Sequence, residues 1–245
     1  YCSSLSTITF KTSSGTTLSC NNSNKQLHSI DDYSFFHCNE LMSILNIPSG
    51  IHRIGRCAFS DCSNLHFVSF ASSSCVEIDE KAFCHCRNLD FVRGDMTNLK
   101  SIGNYAFYDC QNLKSFIEDS DNNHSEIFRS FGHHCFTHCW NLSTINPLLG
   151  RTKSIGPFAF SDCRNISSIE FPEIPLLSEI PPNSFSHCTS LREVVRVPSK
   201  IGSFAFADCH LLSSITPVNG KGFDEIDEMA FYNCVNLENT PQKKQ

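Results

Sequence analysis

Apolar residues recur along the chain in one phrase: Ile, three residues, Ala or Ser, Phe, two residues, Cys, two residues, Leu, two residues, then Ile or Val. Copies run from Ile30 (IDDYSFFHCNELMSI), Ile54 (IGRCAFSDCSNLHFV), Ile78 (IDEKAFCHCRNLDFV) and Ile102 (IGNYAFYDCQNLKSF). Further copies start at Phe131, Ile155, Ile180, Ile201 and Ile226. The phenylalanine falls at 35, 59, 83, 107, 136, 160, 185, 206 and 231, in steps of 24, 24, 24, 29, 24, 25, 21 and 25. A unit this short cannot bury its own apolar face, so neighbours must stack around one continuous core.

The Leu-x-x-Ile-x-Ile portion (Leu41, Ile44, Ile47; Leu65, Val68, Phe70; Ile166, Ile169, Phe171) ends on a period-two pair and predicts a short half-buried strand. Equivalent strands should lie side by side in a parallel sheet, with Pro48, Pro172 and Pro198 ending them. The Ala-Phe-x-x-Cys-x-x-Leu portion spaces apolar residues at i, i+3 and i+6, as in Phe59, Cys62 and Leu65, which suits a helical or 3₁₀ turn on the opposite side. The fold expected is an α/β repeat solenoid: one domain over residues 1–245, nine to ten repeats of about 24 residues, a parallel sheet on the concave face and helical or 3₁₀ turns opposite. A Ser/Thr/Asn-rich stretch near 11–25 and an acidic stretch near 117–128 break the period and are expected as insertions. A partial unit (Cys2, Leu5, Ile8, Phe10) opens the chain, and neither end is a polar cap, so the array is expected to be a piece of a longer one.

The repeat resembles the BspA-like class of leucine-rich repeats, whose unit reads Ile-Gly-x-x-Ala-Phe-x-x-Cys-x-x-Leu-x-x-Ile-x-Ile-Pro; Ile155-Gly156, Ala159-Phe160, Cys163, Ile169 and Phe171-Pro172 match it. The resemblance implies a right-handed leucine-rich-repeat coil. It also implies a surface or secreted protein of a bacterium or parasitic protist that adheres to host cells, matrix or other microbes, and it implies no catalytic residues. Ile180-Pro181-Pro182 in place of Ile-Gly, and Phe131 and Cys135 in place of Ile and Ala, depart from the pattern and predict local distortion.

Charge narrows the partners. The chain has 245 residues, a formal charge of −6 and 18% charged residues, and its Lys/Arg run comes only at Lys243-Lys244, so nothing prepares it for nucleic acid or an anionic membrane. No apolar stretch approaches the ~18 residues of a membrane span. Of the fifteen cysteines, Cys38, Cys62, Cys86, Cys110, Cys139, Cys163, Cys188, Cys209 and Cys234 are in phase and are expected in the core as small hydrophobes. Cys57 and Cys75, off-phase in neighbouring units, could pair only in an oxidising compartment.

Before each in-phase cysteine stands His37, Asp61, His85, Asp109, His138, Asp162, His187, Asp208 and then Asn233. This alternation predicts imidazole–carboxylate contacts along the coil. A metal site is the competing expectation, since His, Asp and Cys are all ligand types, and its first candidates are Cys84, His85, Cys86, His133 and His134. An asparagine column (Asn64, Asn88, Asn112, Asn141, Asn165, Asn236) is expected to satisfy turn backbone. Asn21 and Asn123 head glycosylation sequons in the insertions.

No phosphate-binding glycine loop, nucleophile elbow or paired carboxylate stands out, and no catalytic residue or cofactor is expected. Residues alternating with the buried strand positions should face a protein or glycan ligand on the concave side: Leu45, Phe67, Ser69, Phe91, Arg93, Ser115, Ile117, Thr144, Asn146 and Glu170. Leu45, Phe67, Phe91 and Ile117, in adjacent units, should form an apolar contact patch. The function expected is a non-enzymatic interaction module, a cell-surface or extracellular adhesin. The alternatives are a cytoplasmic repeat domain acting as scaffold or sensor for an attached effector such as a kinase, and metal binding through the His/Asp/Cys ladder.

Overall fold

The computed structural model describes residues 5–9, 28–48, 50–70, 75–94, 98–118, 129–149, 152–173, 176–218, 220, 222–238 and 241. In chain order its elements are β1 (Thr7–Thr9), β2 (Ser29–Ile30), β3 (Ser43–Ile47), β4 (Arg53–Ile54), β5 (Phe67–Phe70), β6 (Glu77–Ile78), β7 (Phe91–Gly94), β8 (Ser101–Ile102) and β9 (Ser115–Glu118). There follow β10 (Arg129–Phe131), α1 (Asn146–Leu149), β11 (Thr152–Ile155), β12 (Ser168–Glu170), β13 (Glu179–Ile180), β14 (Glu193–Val197), β15 (Lys200–Ile201), β16 (Ser214–Pro217) and β17 (Glu225–Ile226). The insertion at 11–25 falls outside the described residues; the later one starts no earlier than 119, because Ile117 and Glu118 close β9.

Each unit contributes strands to two walls of a parallel solenoid. The first wall holds the sheets β1-β3-β5-β7-β9 and β12-β14-β16; the second, which the apolar pattern did not announce, holds β11-β10-β8-β6-β4-β2 and β13-β15-β17. All pairs are parallel and follow the repeat: Ile44 faces Val68, Val68 faces Val92, and Ile30, Ile54, Ile78 and Ile102 form one row. These residues point inward and are buried. The glycine after the row residue has a steric reason, because a Cβ on Gly156 would stand 2.5 Å from the His133 amide nitrogen of the preceding coil.

Two departures from the repeat break the walls. Along the second wall, the residue after the row residue donates its amide to the preceding coil, as Gly132 does to Ile102 and Gly156 to Phe131. Pro181 has no amide proton to offer Ile155, and β11 and β13 fall into separate sheets. In the first wall, α1 stands where the next strand would come, and it divides β9 from β12.

The third wall corrects the expected helical or 3₁₀ turns. A 3₁₀ segment would return every amide three residues back. Here only alternate amides do so: Ser34 to Asp31, Phe36 to Tyr33, Cys38 to Phe35. The amides between them, of Tyr33, Phe35 and His37, donate to the carbonyls of Arg56, Ala58 and Ser60 in the next coil. Left-handed residues make the alternation possible, Tyr33 at φ 57° and His37 at φ 56°, and the same pair recurs in every unit to Met229 and Asn233. Each such residue costs roughly 1–2 kcal/mol, which the inter-coil bonds, at about 0.5–1.5 kcal/mol each, offset. The only helix among the described residues is α1, and it lies outside this wall.

Nine phenylalanines stack between the walls, from Phe35 to Phe231, with centroids 5.1 to 5.6 Å apart and rings parallel within 10°. The stack runs unbroken through both interruptions. Beside it each column cysteine from Cys62 on donates its thiol to the phenylalanine carbonyl of the preceding coil, as in Cys62 to Phe35 (3.1 Å), Cys110 to Phe83 (3.1 Å) and Cys234 to Phe206 (3.0 Å). These thiols are therefore directional as well as apolar.

Candidate binding face

The outward positions of the first wall are placed by register. Ser43, Phe67, Phe91 and Ser115 share one row across β3, β5, β7 and β9. Phe67 and Phe91 are thus neighbours, both half-buried, and Lys114 lies over the Phe91 ring at 5.2 Å while its ammonium meets Asp90 at 2.8 Å. Leu45 and Ile117 do not extend this pair. Ser69, Arg93 and Ile117 form the next row, and Leu45 is set back against Thr9.

Ser43 and Ser115 hold the flanking places in the Phe67–Phe91 row, and a bulge between Ile44 and Ile47 also takes Leu45 out of register with Ser69. Asn46 takes φ 59° there, and its amide donates to the Ser69 hydroxyl at 2.9 Å. Of the four apolar residues expected as a patch, Phe67 and Phe91 share one row between Ser43 and Ser115, and Leu45 and Ile117 stand outside that row.

Farther along, the expected row fails. Thr144 lies in no strand, and Asn146 opens α1 with its side-chain oxygen accepting the Glu170 amide at 3.1 Å. Glu170 itself is exposed on β12 and pairs with Arg196, a left-handed bulge residue at φ 59° whose Nε donates to the Phe171 carbonyl.

The His/Asp column occupies the second left-handed position of the third wall, with φ between 56° and 63° from His37 to Asn233. Asn, Asp and His are the non-glycine residues most enriched there, so backbone conformation explains the residue types. Each short contact reaches forward one unit: His85 Nδ1 to Asp109 at 2.9 Å, His138 Nδ1 to Asp162 at 2.8 Å, His187 Nδ1 to Asp208 at 3.3 Å. Burial pushes the Asp109 carboxyl up, but hydrogen bonds from Gln111, His85 and Arg87 outweigh it and hold it below the usual carboxylate range. Asp162 follows the same logic with Arg164, His138 and Trp140.

The metal expectation is corrected by the same geometry. Cys86 donates to the Phe59 carbonyl in the core, Cys84 is buried on the third wall, and His85 is engaged with Asp109. His133 is exposed, with its backbone amide on Asn104, while His134 is stacked between Tyr105 and Phe158. Among the described residues, no three of His, Cys, Asp and Glu converge on a point that could hold an ion.

Thirteen cysteines are described, all free thiols, and burial pushes Cys188 up to about 12 and Cys110 well above the ordinary thiol value, so neither is an activated nucleophile. The asparagine column is a ladder as well as a turn support: Asn88 donates to the Ser63 carbonyl at 2.9 Å, then Asn112 to Asn88 and Asn141 to Asn112, each at 3.2 Å.

Spacing alone missed the first left-handed column, just before Ala-Phe, where Tyr105, His134 and Phe158 stack at 4.9 and 4.6 Å. The available signal was a run of rings at one repeat position. No helix among the described residues is long and apolar enough to cross a membrane.

Residues 3–127 and 123–238 match the model of the BspA type leucine rich repeat region, in 6 copies. Among solved structures, a leucine rich repeat protein of T. pallidum is 22% identical, with a TM-score of 0.51 over 84% of this chain and 82% of that one, and it has the same fold. A leucine rich cell surface protein of Faecalibacterium prausnitzii A2-165 is 21% identical, with a TM-score of 0.49 over 95% and 80%. The pneumococcal vaccine antigen PcpA is 21% identical, with a TM-score of 0.48 over 86% and 60%. No curated protein matches the chain.

Proposed function

The chain belongs to the BspA-type leucine-rich repeat family, and from that premise we propose that it is a non-enzymatic interaction module, the ectodomain of a cell-surface adhesin that holds a protein partner on the outward face of its first wall. The observation that carries the reading is the Phe67–Phe91 pair, adjacent by register and half-buried, with Lys114 and Arg93 beside it. Aromatic residues at the centre of a polar rim are what contact sites concentrate. Phe67→Ser with Phe91→Ser should abolish capture of immobilised host-cell surface and matrix proteins while leaving thermal unfolding and solubility near wild type. Undiminished capture by the folded double variant refutes this face.

A second reading rests on the thiols. Every described cysteine is free, as suits a reducing compartment, and supports a cytoplasmic scaffold or sensor for an attached effector such as a kinase. Antibody staining of intact against permeabilised cells separates the two: signal on intact cells supports the adhesin, and signal only after permeabilisation the scaffold.

A further inference from the structure

The third wall carries a groove that the first wall has no part in. At the position after the column phenylalanine the side chains shrink along the coil, from Tyr108 to Thr137 to Ser161, and the shrinkage opens a groove of about 580 Å³ behind the Tyr108 ring. Ligand sites commonly fall between about 300 and 1,000 Å³. One side is the Tyr105–His134–Phe158 ring stack, the other is His138, Asp162, Arg164 and His187.

The chemistry of each surface defines an occupant. The floor hydroxyls are already used, Thr137 on the Phe158 carbonyl at 2.6 Å and Ser161 with Ser186 at 2.8 Å, so the floor offers shape. Asp162 receives His138, Trp140 and Arg164, and its charge cancels that of Arg164, which leaves no field to select an ion. A carboxylate only accepts, so Nδ1 of His138 and of His187 carries a proton toward Asp162 and Asp208. In the neutral form of each ring Nε2 is then a lone-pair acceptor. The remaining guanidinium N–H groups of Arg164 are donors, and stacked rings present electropositive edges that suit oxygen.

Acceptors, donors and ring edges around an open groove whose carboxylate and guanidinium balance each other ask for groups that donate and accept at once and for a ligand that stays partly wet. Hydroxyls do both. We propose that this groove binds a neutral oligosaccharide, at a site separate from the protein-binding face of the first wall.

Trp140 is the single tryptophan and bonds Asp162 through its indole N–H at 2.9 Å, so its fluorescence reports on the groove. Maltotriose, cellotriose, N,N′-diacetylchitobiose and N-acetyllactosamine would be titrated singly, with saturation-transfer NMR in parallel. At least one should bind at or below about 10 mM, the weak end of the affinity scale. Ser161→Tyr fills the floor with the residue the fold already accepts at Tyr108, and Phe158→Asn removes part of the ring wall by using the residue the fold carries at Asn183. Each should weaken binding about tenfold or more, whereas the Phe67→Ser, Phe91→Ser double variant should leave it unchanged. The proposal is overturned if none of the four sugars binds at about 10 mM, or if 3′-sialyllactose or an aromatic peptide binds in their place. It is also overturned if neither groove variant, confirmed folded by its unfolding transition, weakens sugar binding.

Discussion

Cys110 decides whether the cysteine column is filler or a hydrogen-bonding element. Its side chain is fully buried, and its thiol points at the Phe83 carbonyl at 3.1 Å. That carbonyl also receives the Cys86 amide at 3.2 Å, so removing the thiol leaves no orphaned acceptor. Cys110→Ala should therefore lose a methylene-sized transfer contribution of about 0.8 kcal/mol and a cavity contribution of order 0.5 kcal/mol at ~24 cal/mol per Å³. The weak S–H bond adds less than the about 0.5–1.5 kcal/mol of an ordinary hydrogen bond, for a total near 1.5–2.5 kcal/mol.

Cys110→Ser separates the two roles. With the Phe83 oxygen in line the hydroxyl keeps a partner, and serine should cost no more than alanine, about 1–2 kcal/mol. In a purely apolar slot the hydroxyl would be unsatisfied and serine would cost about 1–3 kcal/mol more than alanine. Urea unfolding followed by circular dichroism measures both, read only if the m-value is unchanged, since a repeat array can lose its cooperativity. Cys62 and Cys163 sit two coils either side, roughly 10 Å away, so the triple serine variant should show about three times the single effect. A serine penalty exceeding that of alanine by more than about 1 kcal/mol refutes the directional role.

Native-state alkylation at pH 8 should label Cys234, half-buried and pushed up only to about 11, before Cys75 and Cys188; prior labelling of either, both about 12, would contradict the burial order. Lys81 occupies a left-handed position at φ 58° with only surface contacts to Glu80 and Tyr105, so Lys81→Asn should raise stability by about 0.5–1 kcal/mol, and any loss by the same urea assay counts against the strain argument. Burial first, then His133 and His138, hold His134 below its ordinary value of 6.5, so its contribution is full above that pH and is lost as pH falls through it toward the folded value. His134→Tyr, copying Tyr105, should flatten the dependence of Tm on pH between about 7 and 5, while the depressed Asp109 and Asp162 act only below about 4; an unchanged slope would exclude His134 as its source.

The inward columns of Phe, Cys, Leu and Ile were legible because a fixed period and a fixed burial demand reinforce each other at every unit, and the Leu-x-x-Ile strands of the first wall follow from the same pattern. The second wall was not, since two-residue strands such as Ser29–Ile30 are too short to display an alternation of their own. In the third wall the His/Asp alternation was visible, but its cause was not. It lies in a backbone alternation that inter-coil bonds impose on residues as unlike as Lys81 and Phe158, and local propensity cannot report a conformation selected by the neighbouring coil.

Departures from the repeat explain the rest. A period assigns residues to columns, and identical columns build only smooth walls. Pro181 parts the second wall for want of one amide proton, and the Asn46 bulge takes Leu45 out of register with Ser69. The fall in size from Tyr108 to Ser161 hollows the groove. Each leaves the phenylalanine stack intact, so the array can change its surface without changing its core, and the groove lies at such a place.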